Sequence, residues 1–192
     1  FQGKNRTDSF LDVLALDEQR AIAIGAYGLF ATTMDGGATW TTRRIREEDF
    51  HLNRISAGPS GTLYIAGEAG TLLRSTDKGA TWLPIPSAYQ GSFFGVLPLG
   101  ARVLLAYGLR GHVFRSEDDG ASWQEITGAP PVLVASALPL PDKRIFLAGQ
   151  ARHLLVSTDE GRTLSAASSA PTTAIAELVD LGERRVLALG EA

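Results

Sequence analysis

The amino-acid sequence predicts an all-β fold, a β-propeller built from four-stranded antiparallel blades, with about four and a half blades present as part of a larger propeller. Three observations lead to this prediction. One eight-residue motif occurs four times at a spacing of about 41 residues, a glycine recurs in the same phase, and each repeat holds four short runs of strand-forming residues.

The eight-residue motif begins with Ser or Thr, carries Asp at its third position and Gly at its fifth, and ends in Trp or Leu. It spans residues 33–40, 75–82, 116–123 and 157–164. Its aspartates, separated by 42, 41 and 41 residues, are Asp35, Asp77, Asp118 and Asp159. A glycine precedes each aspartate by ten residues and recurs once more near the end, at Gly25, Gly67, Gly108, Gly149 and Gly190. This constant phase favours a repeat architecture over a β-sandwich, which needs no fixed period.

The second repeat shows the strand pattern that each unit contains. Residues 52–57, 63–66, 71–75 and 82–85 are four runs of apolar or β-branched residues, separated by Gly, Pro, Ser and Asp. The connections between them are too short for crossover helices, so neighbouring strands must pair antiparallel. Four such strands in about 41 residues are typical of one propeller blade.

The repeats also predict the domain organisation. Residues 1–3, Phe-Gln-Gly, are typical of the remnant of a cleaved purification tag and are left out of the fold prediction. Residues 4–192 are predicted to form a single β-propeller domain or a fragment of one, with units at about 9–48, 49–90, 91–130 and 131–171 and a partial unit at 172–192. An unfinished blade leaves sheet edges exposed. Two explanations stay open: further blades in a longer native chain, or a second copy that completes the ring.

The repeated motif predicts a hairpin between the third and fourth strands of each unit. Its Asp side chain is expected to accept hydrogen bonds from backbone N–H groups further along the turn. The glycine two positions later is expected to adopt a positive φ, at Gly37, Gly79, Gly120 and Gly161. The aromatic residue then enters the fourth strand, where we expect each ring to pack against the next unit, at Trp40, Trp82 and Trp123. Leu164 replaces Trp in the fourth unit, where weaker packing is expected.

The composition excludes several classes of function. A net charge of −3 over 192 residues offers no general attraction to nucleic acid. The lack of cysteine excludes disulfides, thiol catalysis and cysteine-ligated zinc. No apolar run approaches the roughly 18 residues of a membrane-spanning helix, so no direct membrane insertion is expected. No metal or cofactor is predicted either, because His112 and His153 occupy equivalent repeat positions without a carboxylate fixed beside them.

The motif S/T-x-D-x-G-x-T/S-W resembles the Asp-box repeat of bacterial neuraminidases, also called the BNR repeat. Longer phrases extend the resemblance: GAYGLF at 25–30, FHLN at 50–53, IAGEAG at 65–70, GSFFGV at 91–96 and YGLRG at 107–111. Together they resemble the bacterial relatives of the photosystem II stability and assembly factor family. The resemblance covers about residues 7–191.

This resemblance implies a non-catalytic binding platform or assembly factor that is periplasmic or otherwise extracytoplasmic. The implied partner is a membrane protein or membrane-associated complex. The open blade edges would also permit self-association. In this interpretation the Asp-box residues are structural.

Asp-box propellers include sialidases, so a glycan-binding protein or a sialidase-like glycoside hydrolase is the alternative. That class requires three arginines, a Tyr–Glu pair and an acidic proton donor, on loops opposite the Asp boxes. No motif here places these residues together, and the turns at this end are very short. The turns and the links between units instead suggest a candidate binding rim, rich in the arginine and tyrosine typical of protein interfaces. Its members are Tyr27, Arg46, His51, Glu68, Tyr89, Arg110 and Arg152.

Overall fold

The protein is described by a computed structural model that covers residues 9–168, 171–182 and 185–190. Within these residues the strands form four four-stranded sheets and one two-stranded sheet, here called blades 1 to 5. The predicted tag remnant at residues 1–3 lies outside the described residues. The all-β propeller architecture is confirmed.

Each blade is a run of strands that are consecutive in the chain. Blade 1 holds β1 (Phe10–Ala15), β2 (Ala21–Gly25), β3 (Phe30–Thr33) and β4 (Thr41–Thr42). Blade 2 holds β5 (Leu52–Ala57), β6 (Leu63–Gly67), β7 (Leu72–Ser75) and β8 (Leu83–Pro84). Blade 3 holds β9 (Phe93–Pro98), β10 (Leu104–Gly108), β11 (Val113–Ser116) and β12 (Gln124–Glu125). Blade 4 holds β13 (Val134–Pro139), β14 (Ile145–Gly149), β15 (Leu154–Ser157) and β16 (Ser165–Ala166). Blade 5 holds β17 (Ile175–Asp180) and β18 (Val186–Gly190).

Short antiparallel hairpins connect the strands in every blade. In blade 2, Ile55 pairs with Ile65 and Ile65 pairs with Leu73, so all three side chains stand on one face of the sheet. The fourth strand has only two residues, shorter than the predicted run at 82–85. The first strands of successive blades contact one another, which places them innermost.

The recurring glycine ten residues before each Asp-box aspartate has a packing role. Every first strand carries a register shift where it pairs with the end of the second strand, typical of a β-bulge. At this bulge a Cβ on Gly67 would lie only 2.4 Å from the carbonyl oxygen of His51. A Cβ on Gly25 or Gly108 would lie 2.2 Å from the carbonyl oxygen of Ser9 or Ser92 in the same way. Only glycine fits there, because the opposing group is backbone and cannot turn away.

The blades pack face to face through residues that alternate along their strands. Between blades 1 and 2, Ile24 and Phe30 meet Ile65 and Trp82 in one buried cluster. Equivalent clusters join blades 2 and 3, blades 3 and 4, and blades 4 and 5. The core is therefore a series of similar interfaces rather than a single centre, as in other repeat proteins.

The prediction that each Trp packs against the next unit is wrong, because Trp82 and Trp123 pack against the preceding blade. Trp82 is 9% exposed and meets Phe30 of the preceding blade edge to face, with ring centroids 6.0 Å apart. Trp123 also faces the preceding blade and donates a hydrogen bond to the carbonyl of Pro86 at 2.8 Å. Leu164 packs in the same direction between blades 3 and 4. Trp40 of blade 1 is 42% exposed.

A polar network ties the innermost strands together. Arg54 of β5 pairs with Glu177 of β17, and its Nε lies 3.9 Å from Asp12 of β1. Ser136 of β13 donates to Glu177 at 2.7 Å and accepts from the N–H of Leu178 at 3.1 Å. Arg54 therefore links the first strands of three blades directly, and Glu177 extends the network to the first strand of a fourth.

Candidate functional site: a rim of short turns and blade links

The two ends of each blade carry different connections. The turns between second and third strands and the links between blades lie at one end, here called the rim end. The Asp-box hairpins and the turns between first and second strands lie at the other, here called the box end. This division follows from antiparallel pairing, since consecutive turns of a meander alternate between its two ends.

The rim turns hold one residue in the left-handed region at the same position of each complete blade. These residues are Tyr27 (φ 54), Ala69 (φ 51), Arg110 (φ 58) and Ala151 (φ 56). A glycine with positive φ follows in blades 1 to 3, but Arg152 (φ 59) takes that place in blade 4. Non-glycine residues in this region cost of order 1 kcal/mol each, so the folded blade must hold these turns in place.

Three of the predicted rim residues form one cluster where blade 1 meets blade 2. The rings of Tyr27 and His51 lie edge to face, with centroids 4.8 Å apart. Glu68 accepts the backbone N–H of His51 at 2.8 Å and lies 3.6 Å from His51 Nδ1. The cluster is partly exposed and joins an aromatic ring, an imidazole and a carboxylate from three separate chain segments.

Arg46 adjoins this cluster through Thr71. Its Nη1 donates to Thr71 Oγ1 at 2.6 Å, and its Nε donates to Glu48 at 2.9 Å. Its guanidinium also lies over the ring of Phe50, 5.4 Å from the centroid, within the range of a cation–π contact. Arg46 therefore holds the charged link at 43–49 against blade 2.

Tyr89 belongs to a second group, at the link between blades 2 and 3. Its ring lies 4.4 Å from that of His112, and the rings of Phe93 and Phe114 pack 5.6 and 5.7 Å away. Glu125 lies 2.6 Å from His112 Nδ1, so the expectation that no carboxylate is fixed beside this histidine is wrong. Sequence reasoning missed His112 as a rim residue, although its repeat position directly after the rim turn was the available signal.

Arg110 and Arg152 are exposed and stand on neighbouring turns of blades 3 and 4. The predicted rim residues thus fall into a cluster at Tyr27, a group at Tyr89 and two exposed arginines. All of them lie at the rim end.

The Asp boxes at the opposite end are closed hydrogen-bonded turns. In the second box, Asp77 accepts from the N–H of Thr81 at 2.9 Å and from its hydroxyl at 2.5 Å. Ser75 donates to Asp77 at 2.7 Å and accepts from the N–H of Gly79 at 2.9 Å. Hydrogen bonds from Thr81 and then Ser75 lower the pKa of Asp77 to about 2. The other three boxes repeat this pattern, and each of their aspartates also has a pKa of about 2.

The boxes also join neighbouring blades, a role that sequence reasoning missed. Gly79 has φ 87, and a Cβ there would lie 2.5 Å from Cδ1 of Ile22 in the preceding blade. At the next junction Arg74 pairs with Asp119, and the Tyr64 hydroxyl donates to Asp119 at 2.6 Å. The available signal was an arginine just before the box Ser, at Arg74 and Arg115, with an acidic residue at the fourth box position of the following unit.

Two features of other protein classes are absent from the part of the chain that the structure describes. No group of three or more His, Cys, Asp or Glu side chains is arranged to hold a metal ion there. Nor does that part contain a helix with the length and apolar character needed to cross a membrane.

Comparison with known proteins identifies relatives of one kind in sequence. A family model described as photosynthesis system II assembly factor YCF48 matches residues 4–131. The photosystem II assembly lipoprotein Ycf48 of Synechococcus sp. (strain CC9902) is 38% identical over 76 residues, which cover 38% of this chain and 22% of that protein.

Solved structures with a similar fold include both assembly factors and enzymes. YCF48 bound to D1 peptide has a TM-score of 0.75 at 20% identity, over 96% of this chain and 61% of that chain. YCF48 from Cyanidioschyzon merolae has a TM-score of 0.69 at 17% identity, over 90% of this chain and 60% of that one. An ancestral GH74 enzyme has a TM-score of 0.67 at 16% identity, over 83% and 24%. At these identities the structural matches establish the fold alone.

Proposed function

The chain belongs to the family of photosystem II assembly factors described as YCF48, and from this premise we propose that it is a non-catalytic β-propeller platform for assembling a membrane-associated protein complex. The observation that carries the proposal is the family match over residues 4–131, which contains all the strands of blades 1 to 3. The chain covers about three fifths of the similar YCF48 structures and 22% of the curated relative, so the activity of the whole protein is part of the proposal.

The proposed binding surface is the rim end. Its turns are short, and they present Tyr27, Arg110 and Arg152 to solvent from left-handed backbone positions that neighbouring blades share. Aromatic and arginine side chains contribute most of the binding energy at protein interfaces, because they bury a large area and make several hydrogen bonds. A rigid scaffold also lowers the entropy lost on binding.

The proposed partner presents a polypeptide segment of a membrane protein or membrane-associated complex outside the cytoplasm. Two findings on relatives support this. One similar structure is YCF48 bound to D1 peptide, and the Synechococcus relative is named a lipoprotein. Partners at the blade edges, including a second copy, remain a secondary part of the proposal.

The test is quantitative capture of membrane proteins from detergent-solubilised membranes of the source organism, with the chain as bait. The rim variant combines Tyr27→Ala, Arg110→Ala and Arg152→Gly, which copy the residues found at equivalent positions of other blades. These substitutions should leave the fold intact for that reason. Loss of two or three interface anchors should reduce recovery of the partner at least about tenfold.

A matched control removes similar side chains at the box end. It combines Met34→Ala, Arg102→Ala and Lys143→Ala, all exposed residues, and should recover the partner as well as the original chain does. Equal recovery by both variants would refute the rim as the binding surface. Turnover of a fluorogenic glycoside by the original chain would refute the non-catalytic proposal.

A further inference from the structure

Blades 1 and 2 are joined differently from the later blades. At the junction of blades 2 and 3, Arg74 of the third strand reaches Asp119 in the following box. Between blades 3 and 4, Arg115 donates to the carbonyl of Glu160 at 2.9 Å. The equivalent residues between blades 1 and 2 are Thr32 and Lys78, a neutral residue and a cation that form no such contact.

Arg43 holds this first junction from another position. Its backbone N–H bonds the carbonyl of Phe30, just as Ile85 bonds Leu72 in blade 2, so Arg43 replaces an isoleucine of the repeat. Its Nη2 donates to the carbonyls of Gly79 and Ala80 at 2.5 and 2.9 Å. Its guanidinium lies over the Phe30 ring, 4.8 Å from the centroid. The arginine of this junction therefore stands at position 43 rather than at position 32, and the space beside Thr32 is open.

That space is a cavity of about 520 Å³ at the box end. Leu16, Ile22 and Met34 supply apolar surface, and Arg20 and Lys78 supply positive charge. This volume lies within the range of about 300–1,000 Å³ that is usual for small-molecule sites. Apolar lining beside cationic side chains suits a ligand that has an anionic group and an apolar tail.

All but one of the charged side chains around the cavity have a hydrogen-bond or ion-pair partner. Arg20 lies 2.5 Å from Asp17, and Arg43 is satisfied by backbone carbonyls. The carboxylate of Asp77 accepts its hydrogen bonds inside the box. Lys78 makes no hydrogen bond or ion pair with any residue that the structure describes. The cavity therefore carries, at its exposed edge, one ammonium group that has no direct partner among the described residues.

We propose that this cavity binds an organic monocarboxylate with a short apolar tail. Its carboxylate pairs with Lys78, and its tail lies on Leu16, Ile22 and Met34. The ligand thereby restores at the first junction the contact between cation and carboxylate that Arg74 and Asp119 make at the second. The site is at the opposite end of the blades from the rim, so it stands or fails independently of the proposed function.

Met34 offers a direct readout, because it is the only methionine in the chain and lines the cavity. The methyl resonance of isotope-labelled methionine is followed during titration with sodium octanoate, and with 1-octanol as the uncharged probe of equal tail length. Octanoate should produce a saturable shift and 1-octanol should not. A shift that does not saturate, or saturable shifts of equal affinity with both probes, would overturn the proposal.

Two variants locate the site. Lys78→Gln removes the charge and should weaken octanoate binding about two- to fivefold, the range expected for an exposed ion pair. The double variant Thr32→Arg with Lys78→Asp copies the second junction, and should both abolish the saturable shift and raise the midpoint of unfolding. Equal octanoate affinity in the original chain and in Lys78→Gln would sink the proposal, and this comparison decides even where the double variant does not fold.

Discussion

The two faces of blade 1 differ in burial: one packs against blade 2 and the other is exposed. On one face, Ile24 and Phe30 are buried against blade 2 and its Trp82. On the other, Phe10, Val13 and Trp40 are 56%, 61% and 42% exposed. Phe10, Val13 and Trp40 occupy the repeat positions that Leu52, Ile55 and Trp82 occupy in blade 2.

The Asp box therefore has two separate roles: it closes its own turn, and it packs against the preceding blade where one is present. The box closes on itself through its own Ser, Asp and Thr, whether or not another blade lies against it. The Trp and the glycine of the box, however, gain their packing only from the preceding blade. Substitutions at matched positions in boxes 1 and 2 or 3 can therefore separate the two contributions.

The largest expected difference is between Trp82→Ala and Trp40→Ala. Removal of the buried Trp82 ring should lower the free energy of unfolding by about 3–5 kcal/mol, because it leaves a cavity against Phe30. Trp40→Ala should cost less than about 1 kcal/mol, because its ring is largely exposed. Urea unfolding followed by far-ultraviolet circular dichroism measures both. Trp82→Phe should retain most of the stability, since the indole N–H has no hydrogen-bond partner among the described residues. Similar costs for Trp82→Ala and Trp40→Ala would show that packing on the preceding blade does not stabilise the fold.

The next effect compares Gly120→Ala with Gly37→Ala. Both glycines have strongly positive φ, 86 and 93, so both variants carry a backbone strain of about 1 kcal/mol. A Cβ at Gly120 would also overlap Cγ2 of Ile85 in the preceding blade, whereas one at Gly37 meets no atom closer than 3.9 Å. Overpacking should add about 1–3 kcal/mol at Gly120 alone. Thermal unfolding of the two variants gives the difference directly, and equal midpoints would show that close approach plays no part.

A smaller difference is expected between an ion pair at a blade junction and one on the surface. Arg74→Met breaks the contact with Asp119, which also accepts from Tyr64, and should cost about 1 kcal/mol because the pair is partly shielded from water. Arg162→Met breaks a pair with Glu117 whose side chains are 54% and 61% exposed, and should change stability by less than about 0.5 kcal/mol. Chemical denaturation at low and high salt checks both, with salt reducing the effect of Arg162 first.

The smallest difference should appear in the pH dependence of the boxes. Asp35 at the exposed face and Asp77 at the buried junction both have a pKa of about 2, below the usual 3.8, because their hydrogen bonds lie within the box. Each carboxylate therefore stabilises the fold above pH 4, and this stability is lost as the pH falls from about 4 to 2. Asp35→Asn and Asp77→Asn should be destabilised at neutral pH, with the deficit against the original chain shrinking in parallel over that interval. Divergent pH profiles would mean that the preceding blade, and not the box alone, sets the pKa.

Local features of the fold could be predicted because they depend on residues close in the chain. The box turn joins Ser75, Asp77, Gly79 and Thr81 within seven residues, so its chemistry is visible in the motif. The four strands of blade 2 likewise follow from runs separated by turn residues. The glycine at position 67 was recognised as a phase marker, but its cause, the approach of the His51 carbonyl, depends on a bulge that no spacing reveals.

The candidate rim was predicted less completely. Its members could be assigned to one end of the blades because turns alternate in a meander. The contact of Tyr27 with His51 joins residues 24 positions apart, and it depends on how the link between blades crosses the turn. His112 was missed although it follows the rim turn directly, because its ring contact with Tyr89 joins a blade to the preceding link.

The repeat period, the antiparallel blades and the turn chemistry can be predicted from the sequence, because each of these depends on spacing and on residues within one unit. Three features became visible only in the folded chain: Trp82 and Trp123 face the preceding blade, Arg43 bonds across the junction beside Lys78, and particular rim residues meet. The physical reason is that contacts between blades depend on the twist and stacking angle of whole sheets. A periodic sequence says that such contacts recur, but it does not say on which side of the sheet each side chain finds its partner.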